Sequence, residues 1–223
     1  MKYNNRSELY REAESARESG DLIEAGEKLL QLTHYGIVNS GLHHVGMLSS
    51  LTNMKYAVVC YRVAGNDERC ENIARQGILI CEDVLADRID GDDVERQAWS
   101  GLAHEHIGDL RRIAGIDDPD AYQTAKQYYE SVEAASTLDL VMAWANENEF
   151  YQSSKYIAHL ADAAGQSIDP ETIRDLRSLS LTRRITFRQS SFGDILTQLD
   201  QNDLLEWTGN PLAIPDDEES SHL

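Results

Sequence analysis

Seven histidines offer the first candidate chemistry in this chain. His34, the pair His43-His44 and the triplet His104-Glu105-His106 place metal-ligating side chains near one another. A metalloprotease-type zinc helix needs two histidines four positions apart. In the triplet they are two apart, roughly 200° around a helix, so one ion cannot take both from one face. His106 falls at a packing position of the repeat described below and reads as a core histidine. His43 and His44 open a helix beside Gly41 and read as a polar boundary. The turn Asp90-Gly91-Asp92-Asp93 lacks the further oxygen ligands and distal Glu of a calcium loop. No phosphate-binding GxxxxGK[ST], no GxGxxG and no GxSxG nucleophile motif occurs. These readings lead to the expectation of no catalytic residues, no metal and no cofactor, and of a chain that is not an enzyme.

The elements that would position any site are helical. Leu9, Met54, Trp99 and Trp144 recur about every 45 residues. Behind the first three come Ala13 and Ala16, Val58 and Tyr61, and Ala103 and His106. Gly20-Asp21 and Gly65-Asn66 stop two of these helices, and Gly108-Asp109 stands at the corresponding point of the third. Self-similarity at this period predicts stacked helical hairpins. The expected fold class is all-α: four antiparallel hairpins with turns near Gly20, Gly65, Asp117 and Phe150, followed by a C-terminal helical extension. Helices are expected over about 7–20, 22–35, 42–64, 67–89, 94–114, 119–136, 138–150 and 151–164. A further helix is expected from Asp169-Pro170-Glu171 to about Leu181. Thr182 to Arg188 alternates loosely, and its reading as a strand or a contact site stays open. Ser191 to Trp207 reads as an amphipathic capping or partner-docking helix. Residues 1–165 form the repeat domain, 166–207 the extension and 208–223 an acidic tail expected to be disordered. Trp99 and the Tyr128-Tyr129 pair are expected in the core.

Leu9, Ala13, Ala16, Gly20, Asp21, Ala25 and Leu29 resemble one tetratricopeptide (TPR) repeat. Trp99, Leu102, Ala103 and His106 with Tyr122, Ala125 and Tyr129 resemble a second with a lengthened connection. The period departs from the ~34 residues of that family, and the resemblance ends at Gly165. It implies that the first helix of each hairpin lines a concave groove. Helical geometry then places Tyr10, Glu14, Arg17 and Glu18 on that face in the first unit, Lys55, Val59 and Arg62 in the second, and Ser100, His104 and Ile107 in the third. Tyr10, Arg17, Lys55, Arg62 and His104 are therefore the candidate partner-binding residues. The three bases suit a carboxylate-bearing peptide or protein; the plainer alternative is that they pair with neighbouring acids.

Charge narrows the partners. There are 39 acidic against 20 basic residues, a net charge of −19, and only five of the bases are Lys. Removing the run Asp216-Asp217-Glu218-Glu219 still leaves −15, so acidity covers the whole body. Scarce Lys with abundant Asp resembles the proteomes of salt-loving archaea, where salt screens self-repulsion; a merely acidic, well-solvated surface is the alternative. Direct nucleic-acid binding is not expected. The one basic cluster, Arg183-Arg184 with Phe187-Arg188, reads as paired with acids of the body. The polar start and the lack of a long apolar window predict no signal peptide and no membrane span. Cys60, Cys70 and Cys81 read as buried, reduced thiols of a cytoplasmic protein.

The sequence thus predicts a non-enzymatic interaction or scaffold protein that binds a peptide or protein in a helical-repeat groove. The alternatives are a ligand- or peptide-sensing regulatory module, and a metal-binding or enzymatic bundle using His34, His43, His44 and His104. A homo-oligomer is allowed by the amphipathic C-terminal stretch.

Overall fold

A computed structural model describes residues 6–41, 43–86, 89–116, 120–137, 148–166 and 181–202, with Ile168, Thr172 and Leu205. Eight helices and no strand occur among the described residues: α1 Arg6–Glu18, α2 Leu22–Asn39, α3 His44–Val63, α4 Asp67–Ala86, α5 Asp93–Ile113, α6 Asp120–Ala135, α7 Asn148–Ala163 and α8 Leu181–Leu199. The fold is all-α. None of these helices is long and apolar enough to cross a membrane. Trp144, the Asp117–Pro119 turn, the 138–147 helix, most of the 169–181 helix, and Trp207 with the tail lie outside the described residues.

The stops are written in glycine. Gly20, Gly65, Gly115 and Gly165 have φ of 81°, 67°, 70° and 70°, a region that L side chains rarely tolerate. At each, the next amide closes the helix end over the same span: Asp21 to the Ala16 carbonyl, Asn66 to Tyr61, Ile116 to Arg111 and Gln166 to Ala161. Two of the starts are capped by acids. Asp21 accepts from the Glu24 amide, and Asp92 forms a reciprocal capping box with Glu95.

Helices α1 to α6 pack each against the next as sequential hairpins, with α3 also against α5. The α7 helix packs on α3, and α8 packs on α5, α6 and α7. Leu9, Met54 and Trp99 are all buried, as are Ala13, Val58, Tyr61, Ala103 and His106, so the 45-residue spacing marks equivalent core positions of α1, α3 and α5.

Gly108 lies inside α5, as the expected 94–114 helix requires, and its missing Cβ clears Tyr122; a Cβ there would lie 2.6 Å from the ring. Gly101 clears Tyr129 in the same way, at 2.4 Å. The two glycines and the two tyrosines are each seven apart in opposite order, which fixes an antiparallel α5–α6 contact. Several boundaries depart from expectation for identifiable reasons. Gly36 does not end α2, which runs on to Asn39; the glycine lets Ser50 of α3 approach. The break expected near Phe150 does not fall at that residue, which is buried inside α7. The segment 182–207 is not a loose alternation followed by a capping helix. One helix, α8, runs to Leu199, and its buried face is Leu181, Arg184, Ile185, Arg188, Phe192, Ile195, Leu196 and Leu199. The spacing is regular, but arginine occupies two of its core positions, which interrupts the hydrophobic period.

Candidate functional site

Five ionisable side chains meet in the centre of the bundle at 0–1% exposure: Lys55 of α3, Glu105 and Asp109 of α5, and Arg184 and Arg188 of α8. Glu105 and Asp109 are one helical turn apart, as are Arg184 and Arg188, so two acids on one helix face two bases on another. Arg184 Nη2 donates to both Glu105 oxygens at 2.9 and 2.7 Å. Arg188 reaches Glu105 Oε1 at 2.9 Å and donates through Nε to Asp109 Oδ1 at 3.0 Å. Lys55 donates to Asp109 Oδ2 at 2.7 Å. Around this set Tyr129 donates to Glu105 and Tyr122 to Asp109, each at 2.8 Å. Ser153 of α7 donates to Glu105 and accepts from Arg188. Arg184 also donates to the Phe150 carbonyl at 3.0 Å, and Arg188 to that of Ser153 at 2.8 Å. Gly101 and Gly108 bring both tyrosines close enough to take part.

The electrostatics follow from burial and pairing. Burial pushes the Glu105 carboxyl up, but Arg184, Arg188, Lys55 and the Ser153 hydroxyl together hold it well below the usual carboxylate range. Burial and the adjoining carboxylates push the Tyr122 and Tyr129 phenols up, so both stay protonated donors. Burial lowers Lys55 in spite of its contact with Asp109, and neighbouring Arg188 adds to the lowering. Three bases also face two acids, and of the three bases only lysine can release its proton. His106 is buried beside this set and, by desolvation first and Lys55 next, is held well below its ordinary value. The arrangement pairs each of the five charges with an opposite one, leaving Arg184 Nε as a buried donor without a partner, and it locks α8 into the bundle.

At its C-terminal end α8 is clasped more openly. Arg62, at the end of α3, donates through Nε and Nη2 to the two oxygens of Asp200 at 2.7 and 2.6 Å, and through Nη1 to the Ile113 carbonyl. Arg62 and Asp200 keep 23% and 38% of their side chains exposed. Further on, Arg17 of α1 donates to the Leu205 carbonyl and lies within ion-pair distance of Glu14, at 3.8 Å.

The five candidate groove residues are thus distributed. Tyr10 is exposed, and with Arg17 it borders a small crevice shared with Glu14, Asn53, Tyr56 and His159, in which the Tyr56 hydroxyl and His159 Nδ1 lie 2.7 Å apart. Arg62 is held by Asp200, close to the end of α8. Lys55 does not line an open face: it is fully buried, because a pleat of acids on α5 draws it inward. His104 stacks on Tyr128 at 5.6 Å on another side of α5. Of the histidines weighed as ligands, His34 and His104 stand apart, whereas His43 and His44 meet Asp90. The basic cluster is paired with body acids, as expected, through Arg184 and Arg188; Arg183 is exposed. All three cysteines are buried thiols, and burial pushes Cys60 up to about 12 and Cys70 to about 11.

Sequence reasoning missed Glu105, Asp109 and Ser153. The signal available was the matched spacing: two acids four apart on one helix and two arginines four apart on another repel their own neighbours unless the pairs face each other. Neither the protein families, the curated proteins nor the solved structures compared with this chain give a match.

Proposed function

We propose that the chain is a non-enzymatic, TPR-like interaction protein whose first-helix bases hold its own C-terminal segment until a carboxylate-bearing peptide or protein takes its place. The observation that carries this reading is the clasp at the end of α8, where Arg62 takes both oxygens of Asp200 and Arg17 takes the Leu205 carbonyl. A bidentate carboxylate followed by a backbone carbonyl is what an extended peptide presents. Exchange is confined to this end. Arg184 and Arg188 anchor the rest of α8 among groups with no solvent access, and withdrawing them would leave Glu105 and Asp109 buried without their counter-charges, at a cost of about 3–5 kcal/mol. The Arg62–Asp200 pair is partly hydrated, so replacing one carboxylate by another costs little.

A high-salt cytoplasm belongs to the same reading. Its support is the −19 charge spread over the body, which weakens association with any acidic partner at low salt. The test is affinity capture from native extract in molar salt with three full-length proteins: wild type, Asp200→Asn and Arg62→Ala. A partner retained by the wild type should be retained more strongly by Asp200→Asn, which leaves Arg62 open. It should be lost by Arg62→Ala, with a weakening of about 1.5–3 kcal/mol. Identical retention by all three overturns the assignment.

A further inference from the structure

Two histidines and an aspartate from separate segments converge at the other end of the molecule. His43 is the residue before α3, His44 is the first residue of α3, and Asp90 precedes the turn that caps α5. One ligand-type atom of each lies within 4.8 Å of those of the other two. The two imidazoles stack at 4.4 Å with 30° between their planes. Trp99 meets His44 edge-on at 6.0 Å and helps to half-bury it, while His43 and Asp90 are exposed.

The ordinary explanation for His43 is that it caps α3. Helix caps are Ser, Thr, Asp or Asn, whose short side chains reach the free amides. His43 has the backbone of a cap but makes no side-chain capping hydrogen bond. The residue is therefore not placed there for capping. Its neighbour His44 converges on the same point, where the two rings stack and a donor atom of each lies within 4.8 Å of an Asp90 oxygen. A neutral imidazole offers a lone pair, and Asp90 brings the negative charge that a cation needs at a helix N-terminus.

We propose that His43, His44 and Asp90 bind one divalent transition-metal ion of the zinc class, with water completing the coordination. Two imidazole nitrogens and one carboxylate oxygen suit zinc, cobalt, nickel or copper rather than magnesium or calcium, which take oxygen ligands. Ligands at about 2.0–2.1 Å from a tetrahedral ion stand roughly 3.3 Å from one another. The donor atoms lie within 4.8 Å of one another, and the exposed His43 and Asp90 side chains have solvent room in which to adjust toward that closer spacing. Water has access, because Asp90 also borders an open cleft of about 570 Å³ lined by Leu85, Ile89, Arg96 and Ser100. The ion would staple the start of α3 to the segment ahead of α5, so binding raises stability by linkage.

An acidic surface gathers divalent ions without any site, and molar salt removes that contribution while leaving coordinate bonds intact. The experiment is calorimetric titration of zinc into the chelator-treated full chain in 1 M KCl, with thermal melting in parallel. The wild type should take up one zinc and melt at a higher temperature with zinc but not with magnesium. His43→Ala and Asp90→Asn, whose side chains are exposed, should keep the far-ultraviolet circular dichroism of the wild type, bind zinc at least about tenfold more weakly and lose the zinc-dependent rise. Wild-type protein that takes up no zinc, or variants that bind it with unchanged affinity, would overturn the proposal.

Discussion

Replacing Glu105 by Gln tests whether the central charges are as dry and as interdependent as their geometry demands. The substitution keeps the shape and removes one negative charge. Three contacts lose their carboxylate charge, two from Arg184 and one from Arg188, and the new amide nitrogen turns N–H donors toward donors where one of the oxygens stood. At 1.5–3 kcal/mol per charged hydrogen bond the loss would be about 4.5–9 kcal/mol if the contacts were independent. They are not: Arg188 keeps Asp109 and the Ser153 carbonyl. The cost should therefore fall in the range for breaking a buried pair, about 3–5 kcal/mol. Lys55→Met is the paired measurement. It removes the surplus cation, leaves Asp109 its bonds from Arg188 and Tyr122, and fills a similar volume, so it should stay within about 1 kcal/mol of wild type. Urea denaturation at 0.2 M and 1 M KCl provides the assay, because a buried network is insensitive to screening. A Glu105→Gln cost under about 1 kcal/mol, or a Lys55→Met cost as large as that of Glu105→Gln, would mean that water reaches the network and that the charge count does not govern it.

Other consequences are open to simple measurement. Trp99→Ala removes a ring packed on Phe150 at 5.2 Å and should cost roughly 3–5 kcal/mol in the same denaturation experiment. Melting temperature should rise steeply from low salt to 1 M KCl, where the Debye length is about 3 Å and repulsion within a chain of net charge −19 is screened; a flat profile returns the acidity to simple solvation. Acid should destabilise in two stages. His106 is held neutral in the fold, so as pH falls below about 6.5 the unfolded chain takes up a proton that the native state refuses. Glu105 has a depressed folded-state value, so its contribution is present above the usual carboxylate range and is lost as pH falls through that range and below it. His106→Phe should shrink the first stage, to which His44 and His104, also lowered by burial, contribute the remainder, and leave the second unchanged, as read from stability between pH 7 and pH 5.

How much of this was legible in the sequence depends on whether the partner of each residue is local. The spacing of Leu9, Met54 and Trp99 and the glycines at 20 and 65 report on their own helices, and the structure places them where the repeat predicts. Gly36 was misread because glycine has two uses. One is a positive φ at a helix end, visible locally; the other is room for a neighbour, which depends on Ser50 in another helix. Lys55 was placed on an open face because charged residues are almost never fully buried. Its partner, Asp109, lies 54 positions away, and nothing within one helix announces such a pairing. The amphipathic pattern of α8 was broken by Arg184 and Arg188 for the same reason.

The burial of so many charges calls for a physical account, since an apolar core of the same shape would be as stable or more so. The account lies in register. Apolar side chains pack with little preference among neighbouring turns, but these charges do not. Glu105 and Asp109 rise along α5 in the same order as Arg184 and Arg188 along α8. Sliding α8 by one turn, about 5.4 Å, would set Arg188 against Glu105 and carry Arg184 past the last acid, leaving Asp109 with Lys55 alone. A buried guanidinium without a carboxylate costs several kcal/mol, so the slipped helix is excluded by more than the stability of most alternative packings. The same constraint fixes where α8 ends. It delivers Asp200 to Arg62 and Leu205 to Arg17, so the central network sets the geometry of the exposed clasp that it never touches.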